Sequence, residues 1–239
     1  MKKLLIYGVA YPEIVKLIDS INQNKKEWEI LGYIDDNESY YDRVFSGIKV
    51  LGSREILEKY ANQKNIYVFN NYYFGLNSFK ERIKIINSYG LEIPSLIHPS
   101  TNLDYVKIGK GCLISEGCTI GVNVEMGDYV TLRLRSLINH DAKIENYVHV
   151  GPGSIVGSCS ILKEGCFLGA GANIIRTKTV GAASIVGAGA MVVKDVAPYI
   201  TVAGIPAKKL KKGLIKKIKN KIKKILKESN LFTKRSFSK

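Results

Sequence analysis

An aliphatic side chain returns at every sixth position over a stretch of ninety residues, and few folds accommodate so short a fixed period. The series is Ile108, Ile114, Ile120, Met126, Leu132, Ile138, Ile144, Val150, Val156, Leu162, Leu168, Ile174, Val180, Val186 and Val192. It spans fifteen unbroken hexapeptides, residues 108–197. Four residues after the aliphatic one comes a small or β-branched side chain in nearly every unit, such as Cys112, Cys118, Ser136, Ala142, Ser154, Cys166, Ala172 and Ala190. Gly often follows the aliphatic residue directly, as at 109, 121, 127, 151, 157, 169, 181 and 187. A fixed six-residue period predicts a parallel β-helix. Each hexad makes one side of a triangular coil, with the aliphatic residue stacked inward on its copy one coil later. Three sides make a coil of 18 residues, so the run is expected to form five coils, spaced about 4.8 Å apart. The glycines are expected to relieve the backbone where the chain turns.

The repeat resembles the hexapeptide-repeat acyltransferases of bacteria, which use acetyl-CoA. The exit segment Gly204-Ile205-Pro206-Ala207-Lys208 matches theirs. The resemblance implies a left-handed helix, where general topology rules favour right-handed crossovers.

Residues 1–95 read differently. Strand patterns at Leu4–Tyr7, Glu29–Ile34 and Ile66–Phe69 alternate with helix patterns at Glu13–Asn22, Arg54–Tyr60 and Ser78–Ser88. Ser53 is placed to cap the second helix. This alternation predicts a small α/β domain with a Rossmann-like order. Its ligands are expected beyond the carboxyl ends of the strands, at Gly8–Pro12, Asp35-Asp36 and Asn70-Asn71. The Asp and Asn pairs also suit simple turn formation. The layout is similar to that of the nucleotide-aminosugar N-acetyltransferases and the related sialic acid O-acetyltransferases. That resemblance covers about residues 3–210 and implies a sugar-nucleotide site at Gly8, Asp35, Asp36, Asn70 and Asn71. The first loop keeps a single glycine and has no His. Leu96-Ile97-His98-Pro99 resembles the family's entry into the first coil, and His98 reads as structural.

His140 and Asp141 are the informative pair. In the hexad register His140 projects outward, and an imidazole titrates near neutral pH, which suits a general base. The resemblance places the catalytic His here with an acidic neighbour. It also implies that His149, nine residues later, contacts the cofactor, and that Ala170 and Ala188 lie at corners where acetyl-CoA runs. The reaction implied is direct acetyl transfer to a UDP-4-amino sugar for surface glycan synthesis. O-acetylation of a sugar hydroxyl and a silent scaffold remain alternatives. His140 and His149 lie half a coil apart, so they would converge only across a subunit interface, and a homotrimer follows from the resemblance.

The net charge of +15 is concentrated at one end. Residues 208–239 carry fourteen Lys or Arg and one acid. Leu210, Leu214, Ile215, Ile218, Ile222, Ile225 and Leu226 recur at helical spacing among them, so a basic amphipathic helix is expected. It suits either an anionic membrane surface, through 208–228, or packing over the open end of the β-helix. Aromatic interleaving is lacking, so nucleic acid is not a favoured partner. Three of four cysteines sit at the small inward position, no Cys/His spacing suggests a metal, and the composition suits a reducing cytoplasm.

Overall fold

The computed structural model describes residues 1–73 and 75–211. Its body is a parallel β-solenoid. Fifteen two-residue strands run from Lys107–Ile108 to Met191–Val192, five on each of three faces. Each pairs in parallel with the strand eighteen residues on, as Glu125 with Lys143 and Leu137 with Ile155. Leu96–Ile97 and Thr201–Ala203 extend one face at its two ends, which brings the solenoid to about six turns.

The first residue of each hexad fills the interior. Ile114, Leu132, Val150, Leu168 and Val186 are fully buried and stack on one another. Burying such a side chain contributes about 1.5–3 kcal/mol, so the column is a principal source of stability. Serines at the small inward position are buried too, and they find acceptors. Ser154 Oγ donates to the Gly169 carbonyl at 2.9 Å, and Ser160 Oγ to the Ile175 carbonyl at 3.1 Å.

The glycines act differently from the expectation. The chain turns through the left-handed region three residues after the aliphatic one, at Tyr129, Arg135, Asp141, Gly153 and Cys159 among others. The glycine directly after the aliphatic residue instead lies against the next coil. A Cβ at Gly151 would come within 2.6 Å of the Leu168 carbonyl oxygen and 2.7 Å of the Ala170 amide nitrogen.

The amino-terminal unit is a three-stranded parallel sheet with order β2-β1-β5. Its strands are β1 (Lys2–Tyr7), β2 (Trp28–Ile34) and β5 (Ile66–Asn70), with a small hairpin of β3 (Val44–Phe45) and β4 (Ile48–Lys49). Two α-helices accompany it, α1 (Glu13–Asn24) and α2 (Leu76–Ser88). Arg54–Tyr60 forms a 3₁₀ helix, and the Ser53 side chain makes no cap bond. Only Leu57 of that segment is buried, so little packing favours a full α-helical turn.

This unit docks on the solenoid face that carries Leu113, Thr131, His149, Phe167 and Ile185. Ile14, Leu17 and Ile18 of α1 share a core with Leu96 and Leu113. Phe79 and Ile83 of α2 pack on Tyr129, which stacks on Tyr147 at 5.4 Å. Ion pairs Lys16–Glu116 (2.7 Å) and Lys80–Glu164 lie at the rim of the junction. At the other end, Lys208–Lys209 pair as an antiparallel strand with Thr201–Ala203, where the basic helix was expected to begin. The remainder of that expected helix, from residue 212, lies outside the described residues.

Candidate active site

His140 and Asp141 are the two central residues of a turn at one edge of the prism. The strand Leu137–Ile138 delivers the chain to the edge, and Asp141 then takes φ +59°. Asp is among the few L-residues that adopt this conformation readily. The turn directs both side chains to solvent, and 54% of the His140 side chain is exposed. Its Nδ1 lies 2.6 Å from Asp141 Oδ2. An ionised carboxylate only accepts, so in the neutral ring the proton sits on Nδ1 and the Nε2 lone pair is left free. Asn123, one coil earlier, donates from Nδ2 to Asp141 Oδ1 at 3.1 Å. The bonds from His140, then Asn123, hold the Asp141 carboxyl below its ordinary range. The arrangement is an imidazole with an ionised orienting partner, itself held by a third residue, and is chemically able to accept a proton.

His149 lies on the docking face and is only 5% exposed. Its ring stacks on Phe167 at 4.8 Å and lies under Tyr73 at 4.7 Å. Burial, with the nearby Arg133 guanidinium adding to it, pushes its pKa down to about 3, so the ring is neutral. Its Nδ1 has no partner among the described residues. It lines a cavity of about 10 Å³ with Tyr11, Asn70, Asn71 and Arg133, a volume fit for about one water.

Ala170 and Ala188 occupy the same turn position as His140 but on the next edge, across the face that carries Leu137, Ile155 and Asn173. Both are exposed and stand one coil apart. Neither backbone N–H has an acceptor among the described residues. Each is a donor without a protein partner, at an exposed residue with only a methyl side chain.

Gly8, Asp35, Asp36, Asn70 and Asn71 do converge at the carboxyl ends of β1, β2 and β5. Much of their bonding is internal. Asp35 accepts from the amides of Val9 (3.2 Å) and Asn37 (2.9 Å). Asp36 accepts from Tyr7 Oη at 2.6 Å and from Arg54 Nε at 3.1 Å, with Arg82 at 3.5 Å. Asn71 Nδ2 donates to the carbonyls of Gly8 and Tyr11. The oxygens Oδ1 of Asn70 and Asn71 are without a partner among the described residues.

No protein-family profile matches the chain. Among curated proteins, the GDP-perosamine N-acetyltransferase of Escherichia coli O157:H7 is 31% identical over 184 residues, covering 73% of this chain and 82% of the relative. The chain belongs to the hexapeptide-repeat sugar acetyltransferases. Members of this family have a left-handed β-helix, and the chain is an acetyl-CoA-dependent acyltransferase. A serine acetyltransferase of Buchnera aphidicola is 27% identical over 221 residues, covering 86% of this chain and 76% of that protein. Among solved structures, a histidine-to-alanine variant of the GDP-perosamine N-acetyltransferase of Caulobacter crescentus, in complex with CoA and GDP-perosamine, superposes with a TM-score of 0.78. It is 25% identical, with 87% of this chain and 97% of that one covered. The acetyltransferase domain of PglB from Neisseria gonorrhoeae has the same fold, with a TM-score of 0.77 at 23% identity over 88% of this chain and all of that domain.

In this acetyltransferase two further residues stand at the candidate sites, and only one of them has a signal in the sequence. Arg82, on α2, lies between the rings of Tyr7 (4.0 Å) and Tyr72 (4.1 Å), beside Asp36. Its contact with Asp36 spans forty-six residues and arises only when α2 packs on the sheet. Cys159 stands one coil above Asp141, and the 18-residue period alone would have found it. Among the described residues no helix is long and apolar enough to cross a membrane.

Proposed function

We propose that this acetyltransferase transfers the acetyl group of acetyl-CoA to the amine of a nucleotide-linked amino sugar, with His140 as general base. The observation that carries the reading is the outward His140–Asp141 pair, whose hydrogen bond leaves Nε2 free to take a proton. The sugar amine attacks the thioester carbonyl as Nε2 accepts its proton. The tetrahedral intermediate then collapses, the C–S bond breaks, and the CoA thiolate takes the proton from the imidazolium. Asp141 stabilises the transient imidazolium charge. Such general base catalysis is worth about 10²–10⁴-fold. The free turn amides of Ala170 and Ala188 are suited to the carbonyl groups of the cofactor arm. His149 would reach the thioester only if the Tyr73 ring moved off it.

His140 and the two alanines occupy different edges of one prism, so a neighbouring copy is the natural source of the second half of the site. The face between those edges supports a homotrimer. It presents Leu137, Ile155 (41% exposed) and Met191 together with Thr119 and Asn173, whereas another face presents the charged Lys107, Glu125 and Lys143 beside Ile161 and Thr179. The uncharged face is the one that gains by burial against a second copy.

The Rossmann-like amino-terminal unit is the proposed seat of the nucleotide, through Gly8, Asp35, Asp36, Asn70 and Asn71. The named relatives make a GDP conjugate as strong a candidate as a UDP conjugate. The proposed setting is surface glycan synthesis in the cytoplasm, with the cationic segment 208–228 resting on anionic lipid. Equal sedimentation with anionic liposomes, with and without that segment, would remove the membrane contact.

The test of the reaction is thiol release from acetyl-CoA with UDP- and GDP-linked amino sugars. Turnover is expected with an amino sugar, and His140→Ala is expected to lower it by about 10²–10⁴-fold with its circular dichroism unchanged. Full activity in the variant, or turnover by the wild type only on a sialic acid hydroxyl, would overturn the reading.

A further inference from the structure

Asp141 and Cys159 are eighteen residues apart, so they hold the same turn position on successive coils of one edge. Both adopt the left-handed conformation, with φ +59° and +58°. The Cys159 amide donates to the His140 carbonyl at 3.1 Å, and the Asp141 amide to the Val122 carbonyl at 3.0 Å. The solenoid ladder thus fixes the backbone of His140, Asp141 and Cys159. Their donor atoms lie within 4.8 Å of one another, and all three side chains are exposed. No other such trio comes together among the described residues.

We propose that His140, Asp141 and Cys159 form a binding site for a borderline-soft divalent cation, zinc above all. Imidazole, carboxylate and thiolate are the donor types zinc takes, and three protein ligands leave the fourth tetrahedral position to water. Zinc–ligand bonds of about 2.0–2.3 Å put tetrahedral donors about 3.4 Å apart. Rotation of exposed side chains closes the remaining gap without moving the backbone. On binding, the Cys159 thiol gives its proton to solvent as the S–metal bond forms. Ligation at His140 Nε2 occupies the lone pair directly. Ligation at Nδ1 breaks the bond to Asp141 and moves the ring proton to Nε2. Either way the imidazole stops serving as a base, so the cation inhibits acetyl transfer. That consequence rests on the proposed reaction; the binding itself does not.

Cobalt(II) and zinc titrations of the full chain test the site. One cation per chain is expected, with a near-ultraviolet thiolate-to-cobalt band. Cys159→Ala should lose the band and bind zinc more weakly by at least about tenfold, a lower bound set by the losses seen when a mere supporting residue is removed. His140→Ala should also weaken binding. Cys112, Cys118 and Cys166 are buried, so they do not supply the band. In the transfer assay, half-inhibition by zinc should need at least about ten times more metal in Cys159→Ala. Sub-stoichiometric binding, or a band and affinity unchanged in Cys159→Ala, would overturn the proposal. Should the wild type acetylate no sugar at all, the proposed reaction fails, while the titration stoichiometry and the cobalt band still decide the metal site.

Discussion

His149 is the residue most exposed to the consequences of pH. Its ordinary pKa of 6.5 falls to about 3 in the folded chain, mainly through burial. The unfolded chain therefore binds a proton at this ring before the folded chain does. Its contribution to stability is complete above pH 6.5 and is lost as pH falls from 6.5 toward 3. At pH 5 the loss is roughly 2 kcal/mol, from about 1.4 kcal/mol per pH unit. Urea unfolding at pH 7.5 and pH 5 should show this loss in the wild type and a much smaller one in His149→Phe. An equal loss in both would show that His149 stays protonatable when folded. The His140–Asp141 pair was legible in the sequence because the hexad register sets which residues face outward. The burial of His149 was not, because Tyr73 reaches it from a separate unit. Cys159 escaped notice because its neighbours are remote in sequence until the coil length is applied.

At the level of the coil, two glycines two residues apart do different work. Gly151 lies against the backbone of the next coil, and a Cβ there would meet Leu168, Gly169 and Ala170 at 2.6–2.7 Å. Gly153 has φ +63° and open space where its Cβ would be. Gly151→Ala should therefore cost about 3 kcal/mol, the upper part of the range for overpacking. Gly153→Ala should cost only about 1 kcal/mol, for the left-handed conformation. Apparent melting temperatures check the order, and equal or reversed shifts would contradict it. Strand and helix positions in the amino-terminal unit followed from alternation, with α1 and α2 each two residues longer than the pattern suggested. The segment Arg54–Tyr60 did not follow, because a helix of that length takes its geometry from what it packs on.

For the whole molecule, the uncharged face with Leu137, Ile155 and Met191 is where copies are expected to meet. If the proposed trimer forms through this face, Ile155→Lys should dissociate it in light scattering and lower transfer, while Lys143→Ile on the charged face should leave assembly unchanged. The solenoid itself was readable from one period, but the edges that the proposed site would join were not, since that proposal draws them from different copies. That cooperation is the core of the account, and mixed trimers test it most directly. His140→Ala removes the base, and Ala188→Trp blocks the cofactor edge, so each variant alone should be nearly inactive. Co-expressed in equal amounts, random threefold assembly pairs an intact base with an intact edge at about a quarter of sites. About a quarter of wild-type activity is the predicted result; mixed trimers as inactive as either variant alone would contradict a site shared between protomers.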